Sequence, residues 1–190
     1  MGNTESKDSE CATGCISVTA GIRFEHSECI SKLNSWLVDD AMGTSQRKVL
    51  VIVGPEGSGK TALLNRIAMI KIKGEVPRFI EPDRHGHILH RKESYRRMRP
   101  ALWALQDQKL VLMDDLDMHR SCTVQELMMV AAGSQVKVRR PRSCTEIDTF
   151  TPAASVAVAV RADLEDRATR LMADVDCECR YFVVLRLTAQ

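Results

Sequence analysis

No apolar run in this chain reaches the roughly 18 residues that a membrane-spanning helix requires, and no secretory signal precedes its first polar residues. A soluble globular chain is therefore expected. The seven cysteines, Cys11, Cys15, Cys29, Cys122, Cys144, Cys177 and Cys179, are odd in number and scattered, so they do not form a disulfide framework and are expected as reduced thiols. Cys177-Glu178-Cys179 lacks a second ligand pair at zinc-site spacing. His85, His87 and His90 lie in a polar stretch with no cysteine nearby, which argues for solvated histidines over a metal site. Net charge is also missing: 27 Lys and Arg against 25 Asp and Glu leave only +2. Bulk charge thus points to no partner, and any nucleic-acid surface has to come from local clustering. Internal repeats and low-complexity tracts are absent.

The 190 residues, 44% of them apolar, suffice for one α/β domain with a short extension. The expected division is a disordered or weakly ordered extension over 1–26, a helix and linker over 27–47, and the main domain over 48–190. The first residues, Met1-Gly2-Asn3-Thr4-Glu5-Ser6, fit the M-G-x-x-x-[ST] pattern for myristoylation of Gly2, with Cys11 and Cys15 close enough for palmitoylation. One acyl chain binds a membrane only marginally, so peripheral membrane association follows only if Gly2 is acylated and a second signal acts with it. The plain alternative is a polar, disordered N-terminus.

Ser27 is placed to cap a helix whose apolar residues Ile30, Leu33, Trp36 and Leu37 recur at helical spacing, with Gly43 as its stop. A buried strand is expected over 48–53 and a helix from Lys60 to about Ile72, ending before Gly74 and Pro77. Between them lies the most informative segment of the chain, Gly54-Pro55-Glu56-Gly57-Ser58-Gly59-Lys60-Thr61. It matches G-x-x-x-x-G-K-[ST], a phosphate-binding loop. The glycines let backbone N–H groups converge on a polyphosphate, Lys60 reaches the β- and γ-phosphates, and the Thr61 hydroxyl holds Mg²⁺. ATP and Mg²⁺ are the ligands this predicts. An N-K-x-D guanine-reading motif is absent, which argues against a small GTPase.

A second apolar strand, Lys109 to Met113, ends in Asp114-Asp115, followed by Asp117. Carboxylates at the C-terminal end of such a strand stand where open parallel sheets place ligand chemistry. Asp114 is assigned to the metal and Asp115 to activation of the attacking water, although the two roles are exchangeable on sequence grounds. Strand, phosphate loop, helix and acid-ended strand together predict a P-loop NTPase, an α/β three-layer sandwich around a mostly parallel central sheet.

Two segments cluster positive charge. Residues 78 to 99 carry Arg78, Arg84, Arg91, Lys92, Arg96, Arg97 and Arg99 against Glu81, Asp83 and Glu93, as a solvated face or a polyanion contact. A short helix is expected over 101–105. After a helix over 123–132, Gln135 to Arg142 alternates apolar and basic residues. This suits an exposed hairpin arm with Lys137, Arg139 and Arg140 facing a nucleic acid, or an edge strand guarded by charge. A small-residue strand over 154–160, a helix over 163–173 with Arg167 and Arg170, and a closing strand over 181–185 complete the pattern.

In this order, over about residues 48 to 175, the chain resembles the motor domain of superfamily 3 helicases, in particular the primase-helicases of phages, plasmids and large DNA viruses. The likeness rests on the phosphate loop followed by Ala62-Leu63-Leu64-Asn65, on the block from Arg99 through Asp115, on Leu127 to Arg139 leading into a hairpin, on Phe150-Thr151-Pro152 before a sensor strand, and on the helix from Asp163 to Arg170. The resemblance implies an AAA+-like core, a ring-shaped homo-oligomer and ATP hydrolysis coupled to single-stranded DNA. It also implies Arg167 or Arg170 acting on a neighbouring subunit's γ-phosphate, and a place in the cytoplasm or at a site of viral or plasmid replication. Where the family carries a polar sensor, usually asparagine, this chain has Arg161, and the residues before the first strand are expected to be too few for the family's primase region and full N-terminal collar, as in a fragment or a reduced relative. A P-loop nucleoside or nucleotide kinase, with an Arg-rich lid near residues 91–99, and a nucleotide binder with little or no turnover are the alternatives.

Overall fold

The computed structural model describes residues 18–39, 47–71, 78–80, 88, 105, 109–118, 121–139, 147–161, 163, 165–175 and 180–189. In chain order the elements are α1 (Glu28–Asp39), β1 (Val49–Val53), α2 (Lys60–Lys71), β2 (Arg78–Phe79), β3 (Leu110–Leu116), α3 (Ser121–Ala131), β4 (Val136–Arg139), β5 (Ile147–Phe150), β6 (Ser155–Val160), α4 (Glu165–Val175) and β7 (Phe182–Arg186).

Every residue of β1 and β6 is buried, as expected of strands covered on both faces. They pair in parallel, Leu50 opposite Ala157 and Ile52 opposite Ala159. The sheet has five strands in the order β2-β3-β6-β1-β7, and each pairing is parallel. The architecture is α/β, with helices on both faces of this sheet. Strand alternation sorts the core into two layers. Val49, Val51 and Val53 of β1, Val111 and Met113 of β3, and Val156 and Val158 of β6 pack with Val124 and Leu127 of α3 and with Ala168 and Met172 of α4. The alternate residues Leu50, Ile52, Leu110, Leu112, Ala157 and Ala159 pack with Leu33 and Trp36 of α1 and with Leu63, Leu64 and Ile67 of α2. Each fully buried Val, Leu or Ile contributes about 1.5–3 kcal/mol, so the two layers supply the driving force that holds the loop-bearing strand in place.

Three expectations change. Residues 18–26, assigned to a weakly ordered extension, instead dock on the core: Val18 and Ile22 are buried, and Phe24 forms an antiparallel bridge with Leu187. Glu25 N–H donates to Arg186 O at 2.9 Å, Thr188 N–H donates to Arg23 O at 3.0 Å, and Arg66 Nη1 donates to the carbonyls of Val18 and Ala20. The physical reason is the edge of β7, whose main-chain groups this segment satisfies. Ile30, expected on the buried face of α1, is 39% exposed, and Cys29 takes its place in the core. Arg78–Phe79, expected in a charge-rich helix face or loop, is a short strand that pairs with Val111 and Leu112 at the sheet edge, with Phe79 exposed.

β4 and β5 form a separate antiparallel ladder, Val136 opposite Phe150 and Arg139 opposite Ile147. Its root is anchored by Val136, which is buried, and by Phe150 packed on the core. Among the described residues no helix is long and apolar enough to cross a membrane. Among the described residues, Cys29 and Cys122 form no disulfide.

Candidate functional site

The chain leaves β1 at Val53 and turns sharply into the phosphate-loop motif. Ser58 N–H donates to Pro55 O at 3.2 Å to close the turn, and Leu63 N–H donates to Gly59 O at 2.9 Å to begin α2. Gly57 and Gly59 have φ of 75° and 91°, a left-handed region that a side chain disfavours. Gly54 is required for a different reason: a Cβ there would lie 2.8 Å from Ser58 Oγ and 2.9 Å from Leu187 O. At Gly57 the corresponding space is open, with nothing within 4 Å. The loop is thus tight beneath and open above, and the first N–H groups of α2, which have no intrahelical acceptors, lie at that open end. Lys60 Nζ donates to Gly54 O at 2.6 Å and to Pro55 O at 2.9 Å, holding its ammonium group over the loop.

The acids come from β3. Its ladder with β6 is regular up to Met113 opposite Val158, slips, and resumes at Leu116 opposite Val160. Asp114 and Asp115 occupy the slip, and Asp115 has φ of 52°, the only positive value at a non-glycine residue among the described residues. An irregularity of this kind re-aims side chains at a strand end. Asp114 Oδ2 accepts a 2.7 Å hydrogen bond from Thr61 Oγ1, and Asp114 Oδ1 accepts one of 3.0 Å from the Asp115 N–H.

A third strand end opens between these two. β6 lies between β1 and β3, and the residue that follows it is Arg161, whose N–H donates to Leu116 O at 3.1 Å. Its side chain makes a two-bond contact with Asp163, Nε to Oδ1 at 2.6 Å and Nη2 to Oδ2 at 2.9 Å. The hydrogen bond to Asp163 raises the Arg161 pKa, and the same bond from Arg161 holds the Asp163 carboxyl below the usual aspartate range.

Loop, acids and Arg161–Asp163 line one cleft of about 690 Å³ at the carboxyl edge of the parallel sheet. Its size is that of a small-ligand site. Four carboxylates, on Glu56, Asp114, Asp115 and Asp163, share it with two cations, Lys60 and Arg161. A bare polyanion is therefore poorly matched to the cleft, whereas a polyphosphate carrying a divalent cation is well matched. The donor set fits that ligand on three counts. The loop is open above Gly57, Ser58 Oγ is buried with no hydrogen-bond partner among the described residues, and the Thr61 hydroxyl and Asp114 carboxylate stand together as hard oxygen donors. Among the described residues no cluster of three or more His, Cys, Asp or Glu side chains forms a metal cage.

The structure thus brings together Glu56 through Thr61 with Asp114 and Asp115, while Gly54 and Pro55 do not line the cleft and meet it only through their carbonyl bonds to Lys60. Arg167 and Arg170 are exposed on α4 and do not line the cleft. Lys137 is exposed on β4, and Arg139 continues that strand in its main chain. Arg140, Gly2 and the Arg-rich residues 91–99 lie outside the described residues. The sequence reading noticed Arg161 as a departure but missed Asp163 as its partner. The signal was there, in opposite charges two residues apart just beyond a buried strand. No protein-family model and no curated protein matches the chain.

Proposed function

We propose that this chain is a Mg-ATP-binding P-loop NTPase with an AAA+-like core, hydrolysing ATP as a motor similar to those of superfamily 3 helicases and acting on single-stranded DNA inside the cell. The observation that carries the reading is the contact between Thr61, at the start of the loop's helix, and Asp114, at the end of another strand. This juxtaposition is what a site for a metal-bound triphosphate requires. The loop amides and Lys60 would bind the phosphates. Thr61 and Asp114 would hold Mg²⁺, which would supply charge neutralisation to the phosphates. Asp115 stands beside Asp114 to orient and deprotonate the attacking water.

Two further features support the motor over an acceptor kinase. β6, which corresponds to the sensor strand of the resembled family, delivers its end into the cleft between the loop and the acids. Arg167 and Arg170, exposed on α4 and outside the lining of their own cleft, would be accessible to act in trans. An arginine supplied by a neighbour typically accelerates hydrolysis about 10³- to 10⁵-fold, which would make a ring of subunits the active form. The test is phosphate release with and without single-stranded DNA, in rising salt, alongside light scattering with and without Mg-ATP. Stimulation that fades with salt, together with nucleotide-dependent assembly, is expected; a strict monomer whose phosphate release ignores DNA contradicts the motor.

One observation favours a second reading. The residue after β6 is a guanidinium bound to a carboxylate rather than an amide, so no neutral donor stands there to position the lytic water. A nucleotide-binding protein with slow turnover fits that feature. Tight Mg-ATP binding without phosphate release selects it.

A further inference from the structure

Arg161 is fixed at its main chain and exchangeable at its tip. Its N–H is tied to Leu116 O, which sets the Cα beside the acid-ended strand, while its guanidinium lies in the cleft shared with Lys60, Thr61 and Asp115. The side chains of Arg161 and Asp163 are 43% and 62% exposed, so solvent screens their attraction and the pair is held weakly enough to exchange. The fork that grips two carboxylate oxygens matches two phosphate oxygens equally well. A terminal phosphate also carries more negative charge than one carboxylate. Arg161 is therefore the one described cleft cation other than Lys60, and its present partner is the chain's own Asp163.

We propose that Arg161 reads the terminal phosphate of a nucleoside triphosphate, and that Asp163 competes with that phosphate for the same guanidinium fork. This rests on the cleft being a triphosphate site and adds to it a means of telling triphosphate from diphosphate. A diphosphate lacks the group that displaces Asp163, so Arg161 stays on the carboxylate. Asp163 then sets the threshold at which the exchange occurs, acting through Arg161 as a positioning residue.

The experiment is equilibrium binding of Mg-ATPγS and Mg-ADP to the wild-type chain, Arg161→Gln, Asp163→Asn and the double variant, each checked for an unchanged unfolding temperature. Arg161→Gln is expected to weaken triphosphate binding by about 10-fold or more, the scale of a charge-assisted hydrogen-bonded pair, and to leave diphosphate binding within about 2-fold. Asp163→Asn is expected to tighten triphosphate binding several-fold with diphosphate unchanged. The double variant should match Arg161→Gln alone, because Asp163 works only through the guanidinium. Equal losses for both nucleotides in Arg161→Gln, or weaker triphosphate binding in Asp163→Asn, overturn the proposal while leaving the cleft reading intact. A wild-type chain that binds neither nucleotide overturns both.

Discussion

The Thr61 hydroxyl donates a 2.7 Å hydrogen bond to Asp114 Oδ2 across 53 residues of sequence. Thr61 is placed by the first turn of α2 and Asp114 by an irregularity in β3, two features with separate local causes. Their meeting leaves a pair of hard oxygen donors beside the phosphate loop. If that pair holds Mg²⁺, Asp114→Asn and Thr61→Val should lower ATP affinity measured with Mg²⁺ by about 10- to 100-fold, the usual cost of disturbing a metal's ligand set. Affinity measured in EDTA should barely change. Calorimetry with and without Mg²⁺ checks this, and an equal loss under both conditions speaks against a metal role.

Gly54→Ala isolates the shape of the loop from its charge. The new methyl group would press on Ser58 Oγ and on the Leu187 main chain, and the carbonyl of Leu187 has no flexible end to move. Destabilisation of about 1–3 kcal/mol is expected, as for other overpacked sites, together with weakened nucleotide binding. Chemical denaturation with circular dichroism measures the first. Wild-type stability in this variant would mean the turn is looser than the geometry states.

The hairpin makes a prediction about salt. Lys137 is exposed on β4, and its strand neighbour Arg139 extends the same ladder. Lys137→Ala and Arg139→Ala should each weaken single-stranded DNA binding across all sequences and reduce the log–log salt slope by about 1. Fluorescence anisotropy titrations at several salt concentrations provide the slope; an unaltered slope removes the hairpin from the DNA path.

Acid should open the Arg161–Asp163 contact later than it titrates an ordinary aspartate. The hydrogen bond from Arg161 depresses the folded-state pKa of Asp163, so the contact is intact at neutral pH and in mild acid and is lost as pH falls through the depressed value. Because both groups are exposed, the effect on global stability is small. Carboxyl-carbon NMR is expected to show Asp163 titrating below the usual range in the wild type and within it in Arg161→Gln. Ordinary titration in the wild type would remove the contact from solution.

Much of the site was legible because its chemistry sits in contiguous residues. The run Val49–Val53 reads as a doubly covered strand, and the loop after it carries its own glycine spacing. Asp114 and Asp115 stand at the end of the next apolar run, and what the sequence did not announce is the hydrogen bond that sets Asp114 against Thr61. The less legible parts depend on main-chain pairing rather than side-chain pattern. Arg78–Phe79 is too short for any period to show, and its strand character comes from pairing with β3. Residues 23–25 read as part of a weakly ordered extension because nothing in them announces the bridge to Leu187 that covers the edge of β7. The left-handed backbone at Asp115 likewise arises from the slip against β6, which involves residues some 40 positions away.

The most direct test of the account is isothermal titration of Mg-ATP into the wild-type chain and into Lys60→Ala. Among the described residues the Lys60 ammonium group bonds only to the carbonyls of Gly54 and Pro55, so its removal is expected to change the unfolding temperature little. The account predicts saturable binding of one nucleotide per chain and at least about 100-fold weaker binding in the variant, as expected for the loss of a charge-assisted phosphate contact. Absence of binding by the wild type, or equal binding by both proteins, would contradict it.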